Sequence, residues 1–130
     1  MVNLEYIYLQ KNQIVSLHKD TFKGLVKLKE LYLEENKIKS LEPNTFKDLL
    51  NLRELNLERN QIEALREDNF KVMVMLEVLN LQRNGSKFLF HISSNIFHVL
   101  PNLKFLYLKG NKIVSLHEDS FKGLKSIKIP

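Results

Sequence analysis

The chain contains 130 residues, of which 44% are hydrophobic and 27% are charged, a composition that supports one ordered domain. It has no cysteine, which excludes a disulfide framework, and its 20 basic and 15 acidic residues give a net charge of +5, so a polyanionic partner has to be considered. No stretch reaches the roughly 18–20 apolar residues that a membrane-spanning helix requires, and the first residues lack the basic and apolar segments of a signal peptide.

Leucine-like residues recur at a fixed interval along the chain. A unit begins at each of the positions Leu4, Leu28, Leu52, Leu76, Leu103 and Ile127. The spacing is 24 residues in every case except the step from Leu76 to Leu103, which is 27. Full units follow the pattern L-x-x-L-x-L-x-x-N-x-I-x-x-L-x-x-x-x-F-x-x-L. We therefore predict one repeat domain over residues 1–130, with an irregular unit at 76–102 and a partial unit from 127.

The L-x-L part of each unit alternates in the manner of a β-strand. In the second unit, Leu31 and Leu33 are predicted to point inward while Tyr32 points outward. One strand cannot bury its apolar side alone, so we expect the strands of successive units to stack into a parallel sheet over one continuous core. We call the outward-pointing side of this sheet the sheet face.

An asparagine follows every predicted strand, at the point where the chain turns inward. A buried turn leaves backbone groups that need partners, and an asparagine amide both donates and accepts hydrogen bonds. We predict a structural ladder, and not a ligand site, formed by Asn12, Asn36, Asn60, Asn84 and Asn111. Asn56, which precedes Asn60 by four residues in the same unit, is expected to face solvent.

The remainder of each unit predicts the side of the solenoid behind the sheet. A buried spine is predicted from Phe22, Phe46, Phe70, Phe97 and Phe121. Short 3₁₀ turns are predicted before them, capped by Asp20, Asn44, Asp68, Asn95 and Asp119. A basic residue follows each of four spine positions, at Lys23, Lys47, Lys71 and Lys122. This lysine column is either a solvated surface or a stripe that binds a polyanion.

The irregular unit holds three extra residues, which fall between Asn84 and Leu89. They are predicted to form a lip beside the sheet face, on which at least one of Phe88 and Phe90 is exposed. Residues 84–86 also match the acceptor pattern for N-glycosylation. Because Asn84 belongs to the predicted ladder, we expect that it carries no glycan.

The sheet face holds the most variable positions of the repeat. Two aromatic clusters, Tyr6/Tyr8/Tyr32 and Phe105/Tyr107, are separated by acidic residues at positions 30, 34, 54 and 58, while bases and acids nearly balance over the whole sheet side. Large, stiff aromatic side chains are enriched in binding hot spots, although tyrosine also simply favours strands. The predicted protein-binding residues are Tyr6, Tyr8, Tyr32, Glu54, Asn56, Phe88, Phe90, Phe105 and Tyr107.

No catalytic or metal-binding pattern occurs in the sequence. His91 and His98 are the only histidines near each other, and neither cysteine nor clustered carboxylates accompany them. Nucleophile, zinc-protease and phosphate-loop motifs are absent. We expect a protein that is not an enzyme and needs no cofactor.

These units resemble the leucine-rich repeat family, in the 24-residue form found in Toll-like receptors, small proteoglycans and Slit-type proteins. The resemblance implies an α/β solenoid shaped as a right-handed horseshoe, with the parallel sheet on its concave side and short 3₁₀ or irregular segments on its convex side. It also implies a protein partner on the concave face and the lip, a receptor-like or secreted role in signalling or innate immunity, and an extracellular or cell-surface location. No nucleic-acid partner is expected.

Two alternatives stay open beside this interpretation. One is a structural or scaffolding protein in the cytoplasm, where cysteine is dispensable, and the other is polyanion binding by the lysine column. Extracellular relatives usually end in disulfide-bonded caps, so we expect a fragment without end caps. Self-association through apolar residues near the two ends, Leu4, Ile7 and Ile127, is then possible.

Overall fold

The computed structural model describes residues 3–85 and 99–111 and shows a parallel β-solenoid. Each turn contributes one short strand to the main sheet, and these strands are β1 Tyr6–Tyr8, β3 Glu30–Tyr32, β5 Glu54–Asn56, β6 Val78–Asn80 and β7 Phe105–Tyr107. All five pair in parallel in the order β1-β3-β5-β6-β7. The predicted sheet is therefore confirmed.

The strands keep one register across the sheet. The first column of the sheet face aligns Tyr6, Glu30, Glu54, Val78 and Phe105. The second column aligns Tyr8, Tyr32, Asn56, Asn80 and Tyr107. Asn80 pairs with a residue 27 positions later, yet β6 and β7 are not shifted relative to each other. The additional residues of the irregular unit therefore lie outside the strands.

The core consists of the repeated apolar positions. Leu31 and Leu33 are fully buried, as predicted, and so are their counterparts in the next unit, Leu55 and Leu57. Each such side chain contributes roughly 1.5–3 kcal/mol by leaving water. Leu4 is 45% exposed whereas Leu28 is 0% exposed, because Leu28 is covered by turns on both sides.

The phenylalanine spine is present in the described units. Phe22, Phe46 and Phe70 are buried, and the rings of Phe22 and Phe46 stack with centroids 6.0 Å apart. The spine predicted at Phe97 and Phe121 lies outside the described residues.

Behind the sheet, the backbone forms two elements that the repeat pattern did not indicate. Strands β2 Ser16–Leu17 and β4 Ser40–Leu41 form a second, two-stranded parallel sheet. In the third unit, the short turn becomes a single α-helical turn, α1 Glu67–Phe70. The first two units keep turns closed by N–H groups bonded to the carbonyl three residues earlier, which is the 3₁₀ pattern.

The predicted caps of these turns are one residue out of place. The side chains that bond the turn backbone belong to the residues after Asp20, Asn44 and Asp68. Thr21 Oγ1 accepts a bond of 3.0 Å from the His18 N–H, and Asn69 Oδ1 accepts one of 2.9 Å from the Arg66 N–H. The residue directly before each spine phenylalanine therefore has the side chain that reaches the turn backbone.

Among the residues that the structure describes, no helix is long and apolar enough to cross a membrane.

Candidate functional site

The asparagines after the strands bond adjacent turns together. Asn60 Nδ2 donates to the carbonyls of Leu57 and Leu33 at 3.1 and 3.0 Å, and Asn60 Oδ1 accepts from the Ile38 N–H at 3.1 Å. Asn36 and Asn84 make the same three bonds in their own units. These amides are engaged by backbone groups, so they offer no free atoms to a ligand.

The first member of this row differs from the other four. Asn12 is exposed and its amide reaches only its own turn, at Leu9 and Gln10. Asn111, although half-buried, donates to the carbonyls of Leu81 and Leu108 and also accepts one bond from the preceding turn. The full set of three bonds therefore requires only the turn that precedes each asparagine.

The irregular unit changes this hydrogen-bond pattern at Asn84. In the regular units, the N–H that meets the next asparagine oxygen belongs to the isoleucine two residues after the preceding asparagine, as with Ile62 and Asn84. Asn111 Oδ1 instead accepts from the N–H of Asn84 itself, at 2.9 Å, and Gly85 forms a bridge with Asn111. The departure from the repeat thus begins at Asn84. The predicted lip residues Phe88 and Phe90 lie outside the described residues.

The possible glycosylation site coincides with this position. Asn84 is 4% exposed, and its Nδ2, the atom that a glycan would occupy, donates to the Leu57 and Leu81 carbonyls. A glycan could be attached only if these bonds were broken.

Aromatic side chains occupy both ends of the described sheet face. Tyr8 is 59% exposed and stacks on Tyr32, with ring centroids 5.0 Å apart and planes 10° from parallel. Tyr6 precedes Tyr8 on the same strand and is also exposed. Phe105 and Tyr107 stack at 6.5 Å on β7 and are half-buried. Both predicted aromatic clusters are present on the sheet face.

Four glutamates lie on and just after β3 and β5, namely Glu30, Glu34, Glu54 and Glu58, and we call them the acidic centre. This group lies between the aromatic clusters but also reaches into the first one. The Tyr32 hydroxyl is 2.7 Å from Glu30 Oε1 and 2.8 Å from Glu54 Oε2. A hydroxyl carries one hydrogen, so it serves only one of the two carboxylates at a time. Burial, followed by the bonds to Glu30 and Glu54, raises the pKa of Tyr32 well above its usual range.

Glu34 is only partly compensated within the acidic centre. Its Oε2 accepts a bond of 2.9 Å from Asn56 Nδ2, while its buried Oε1 has no hydrogen-bond partner among the described residues. Burial raises the pKa of Glu34. A hydrogen bond from its own backbone to the carboxylate opposes this, and the charges of Glu58 and Glu35 add to the increase. The region around this carboxylate is therefore strongly negative.

Asn56 differs from its prediction. It is half-buried rather than simply solvent-facing, because its Nδ2 bonds to Glu34 and its Oδ1 accepts from the Glu58 N–H at 3.0 Å. Asn80 repeats the second bond with the N–H of Gln82. Asn56 thus supports the acidic centre.

Basic side chains of the described residues form three ion pairs. In residues 3–85 and 99–111 the ion pairs are Lys29–Glu5 at 3.1 Å, Lys104–Glu77 at 2.7 Å and Lys47–Asp20 at 3.6 Å. The hydrogen bond from Lys104 lowers the pKa of the Glu77 carboxyl. None of these pairs includes a residue of the acidic centre, so the overall balance of charge hides a local segregation.

The predicted features outside the sheet face are only partly described. Within the described ranges, no three metal-ligating side chains lie together. His91, His98 and Lys122 fall outside those ranges. Glu30, Glu34 and Glu58 were not among the predicted binding residues, although glutamate at the same repeat position in two successive units was the signal that could have indicated them.

Comparison with known proteins gives a family match and several similar structures. A family model described as "Leucine rich repeat" matches residues 2–62 and 76–129. No curated protein is similar enough to be matched.

A leucine-rich repeat protein of Leptospira interrogans is 30% identical with a TM-score of 0.82, and the match covers 97% of this chain and 31% of that one. A TLR13 chain from a complex with ssRNA13 is 31% identical with a TM-score of 0.74, over 98% of this chain and 18% of that one. The Toll–Spatzle complex of Drosophila contains a chain that is 22% identical with a TM-score of 0.78, over 90% of this chain and 15% of that one, a likeness of fold alone. This chain thus spans less than a third of each of these proteins.

Proposed function

The chain belongs to the leucine-rich repeat family, in general a non-catalytic fold for protein interaction, and from this premise we propose that it is a protein-recognition module whose partner lies on the sheet face. The observation that carries the proposal is the exposed stack of Tyr8 on Tyr32 in a rigid strand register. Aromatic side chains held in place by a sheet lose little entropy on binding. Glu54, Asn56, Phe105 and Tyr107 extend this surface along the strands, and the lip residues Phe88 and Phe90 are proposed to border it.

The described crevices favour a macromolecular partner over a small molecule. Three of them have volumes of about 180 to 250 Å³, are open to solvent and are lined largely by charged or polar side chains. Small-molecule pockets usually enclose roughly 300–1,000 Å³ with mostly apolar walls. A broad sheet face suits a protein segment better.

We propose a receptor-like or secreted setting for this recognition, at the cell surface or outside the cell. The support is the similarity to the chain of TLR13, a Toll-like receptor, together with the repeat subclass. A cytoplasmic scaffold is the alternative. Binding of RNA, with which TLR13 forms its complex, is disfavoured here by the acidic centre. Polyanion binding by the lysine column is weakened because Lys47 is paired with Asp20.

A site-specific photo-crosslinking experiment tests the proposal. Tyr8 and Tyr107 are replaced singly by a benzophenone amino acid, with Lys71 behind the sheet as the matched control. We expect protein adducts from the two sheet-face positions and none from position 71. Adducts of equal yield from all three positions would contradict recognition by the sheet face.

The lip is tested separately by deletion of residues 85–87, which restores the 24-residue spacing. We expect an unchanged or slightly higher unfolding midpoint, because a shorter loop loses less entropy on closure. Adduct yield from position 107 should fall if the lip contributes to binding. A collapsed midpoint would instead mean that the segment is part of the core, and unchanged stability with unchanged yield would mean that the insertion is neutral.

A further inference from the structure

We propose that the partner of the sheet face presents a cationic segment, with arginine or lysine side chains that enter the acidic centre beside the Tyr8–Tyr32 stack. The inference rests on the proposed function and specifies the chemistry of the partner. It requires three conditions. The carboxylates of the acidic centre must lack a full set of hydrogen-bond donors, and the neighbouring aromatic rings must be able to accept a cation. In addition, no basic side chain of the described residues may already be paired with these carboxylates.

The carboxylates of the acidic centre lack a full set of hydrogen-bond donors. Glu30 and Glu54 share one hydroxyl hydrogen from Tyr32, so one of the two short contacts lacks a proton at any moment. Glu34 Oε1 is buried without a donor among the described residues. An arginine presents five N–H donors in a planar fork, and a lysine presents three, so a cationic side chain would supply the donor that Glu30 and Glu54 lack.

The aromatic stack provides the second half of a cation site. Tyr8 is more than half exposed and lies against Tyr32, whose hydroxyl is fixed by the two glutamates. A cation over an exposed aromatic face is attracted by the ring quadrupole, and guanidinium groups also stack there. The side chain of one arginine could therefore contact a tyrosine face and a carboxylate together.

Positive groups of the described residues do not already fill the site. In the part of the chain that the structure describes, no basic side chain lies within 4.0 Å of the four carboxylates, and the ion pairs found there involve other acids. A shared metal ion is not indicated either, since no group of three ligands lies together in those residues. The carboxylates are spread along two strands, as an extended cationic segment requires.

The net charge of the chain helps to separate a local effect of the acidic centre from long-range attraction. The chain as a whole carries +5, so long-range attraction would favour an anionic partner. Binding of a cationic probe would therefore have to come from the local surface. A cationic partner also argues against RNA on the same face, which gives the test a clear opposite outcome.

The test measures binding of a fluorescent peptide in which arginines alternate with glycine and serine. Matched peptides carry glutamine or glutamate in place of arginine, and a labelled single-stranded RNA is the fourth probe. We expect the arginine peptide alone to bind, and we expect the double variant Glu30→Gln/Glu54→Gln to weaken it about tenfold or more. Tyr8→Ser should weaken it as well. The control Glu63→Gln/Glu67→Gln makes the same charge change at exposed positions away from the sheet face and should leave affinity unchanged.

Every outcome bears on the inference. Equal loss in the control and test variants, or tighter binding of the glutamate peptide or the RNA, would overturn it. Unfolding midpoints of all variants show that each one is folded. If crosslinking from Tyr8 captures a protein whose adduct yield is unaffected by Glu30→Gln/Glu54→Gln, recognition by the sheet face stands and the cationic partner is rejected. If sheet-face crosslinking fails as well, the proposed function fails with it.

Discussion

The asparagine row and the acidic centre both consist of polar residues at fixed repeat positions, and they differ in how their polar groups are satisfied. Asn60 is neutral and buried, and its amide meets three backbone groups of adjacent turns. Glu34 is charged and half-buried, and one of its oxygens has no partner among the described residues. Repetition therefore stabilises the fold where the repeated group is neutral and bonds to fixed backbone. It concentrates unfavourable like charge where the repeated group is a carboxylate facing outward.

The strongest test of this contrast is Asn60→Ala. It leaves the Leu33 and Leu57 carbonyls and the Ile38 N–H without their side-chain partner in a buried turn, so we expect a loss of about 2–3 kcal/mol in unfolding free energy. Urea denaturation measures it. The control Asn12→Ala removes bonds to one exposed turn only and should cost less than about 1 kcal/mol. Equal shifts for the two variants would mean that linkage between turns is not what stabilises the row.

A smaller loss is expected for Asn56→Ala. This variant removes the donor to Glu34 and the acceptor of the Glu58 N–H, both partly solvated, so we expect about 0.5–1.5 kcal/mol. The same urea experiment decides the order of the two asparagines. A loss as large as that of Asn60→Ala would erase the distinction between the row and the sheet face.

A gain is expected for Glu34→Gln at neutral pH. Because the pKa of Glu34 is raised in the folded state, its contribution to stability is full below the ordinary glutamate pKa and is lost as pH rises through the folded value. The glutamine side chain would keep an acceptor for Asn56 without the charge. We expect up to about 1 kcal/mol of added stability at pH 7 and none in acid, below the ordinary pKa.

The control for this gain is Glu63→Gln, an exposed position away from the acidic centre, which should change stability little at either pH. Denaturation at the two pH values measures both variants. If Glu34→Gln destabilised the protein at pH 7, the carboxylate would be compensated after all.

The smallest effect is expected at Arg59, which lies between Glu58 of the acidic centre and Asn60 of the asparagine row. Arg59 has a positive φ of 57°, and Gly110 occupies the same place in the unit of β7. Arg59→Gly relieves roughly 1 kcal/mol of left-handed strain but adds a similar loss of chain entropy. We expect a net change within about 0.5 kcal/mol by urea denaturation. A loss above about 1 kcal/mol would show that the Arg59 side chain itself stabilises the turn.

The sequence predicted the sheet well because the strand register depends on a single quantity, the spacing of the units. Tyr6, Glu30 and Glu54 align as their repeat positions require. The burial of Leu31 and Leu33 follows from strand alternation for the same reason. Periodicity is thus sufficient wherever every unit repeats the same residue type.

Details that depend on contacts between different residue types were beyond the pattern. The bond from Tyr32 to both Glu30 and Glu54 joins two units through one side chain, which no single unit reveals. The turn caps were misplaced by one residue because the choice between Asp68 and Asn69 depends on which side chain faces the turn interior. The second sheet of β2 and β4 was missed because its strands have only two residues each and carry no alternation to detect.

The hydrogen bond between the Asn84 N–H and Asn111 has a consequence for how such a chain can change over generations. Side-chain bonds of the asparagine row join only adjacent turns, so a gene that gains or loses a whole unit alters two junctions and leaves the others as they were. At the junction of the irregular unit, the acceptor is again an asparagine Oδ1, that of Asn111. The donor is the Asn84 N–H and not an isoleucine N–H two residues later, while β6 and β7 stay aligned. The number of residues that follow an asparagine can therefore vary without a change in the alignment of the strands. The chain accepts an insertion at that position without loss of the sheet, so new loops can arise there and be selected for function.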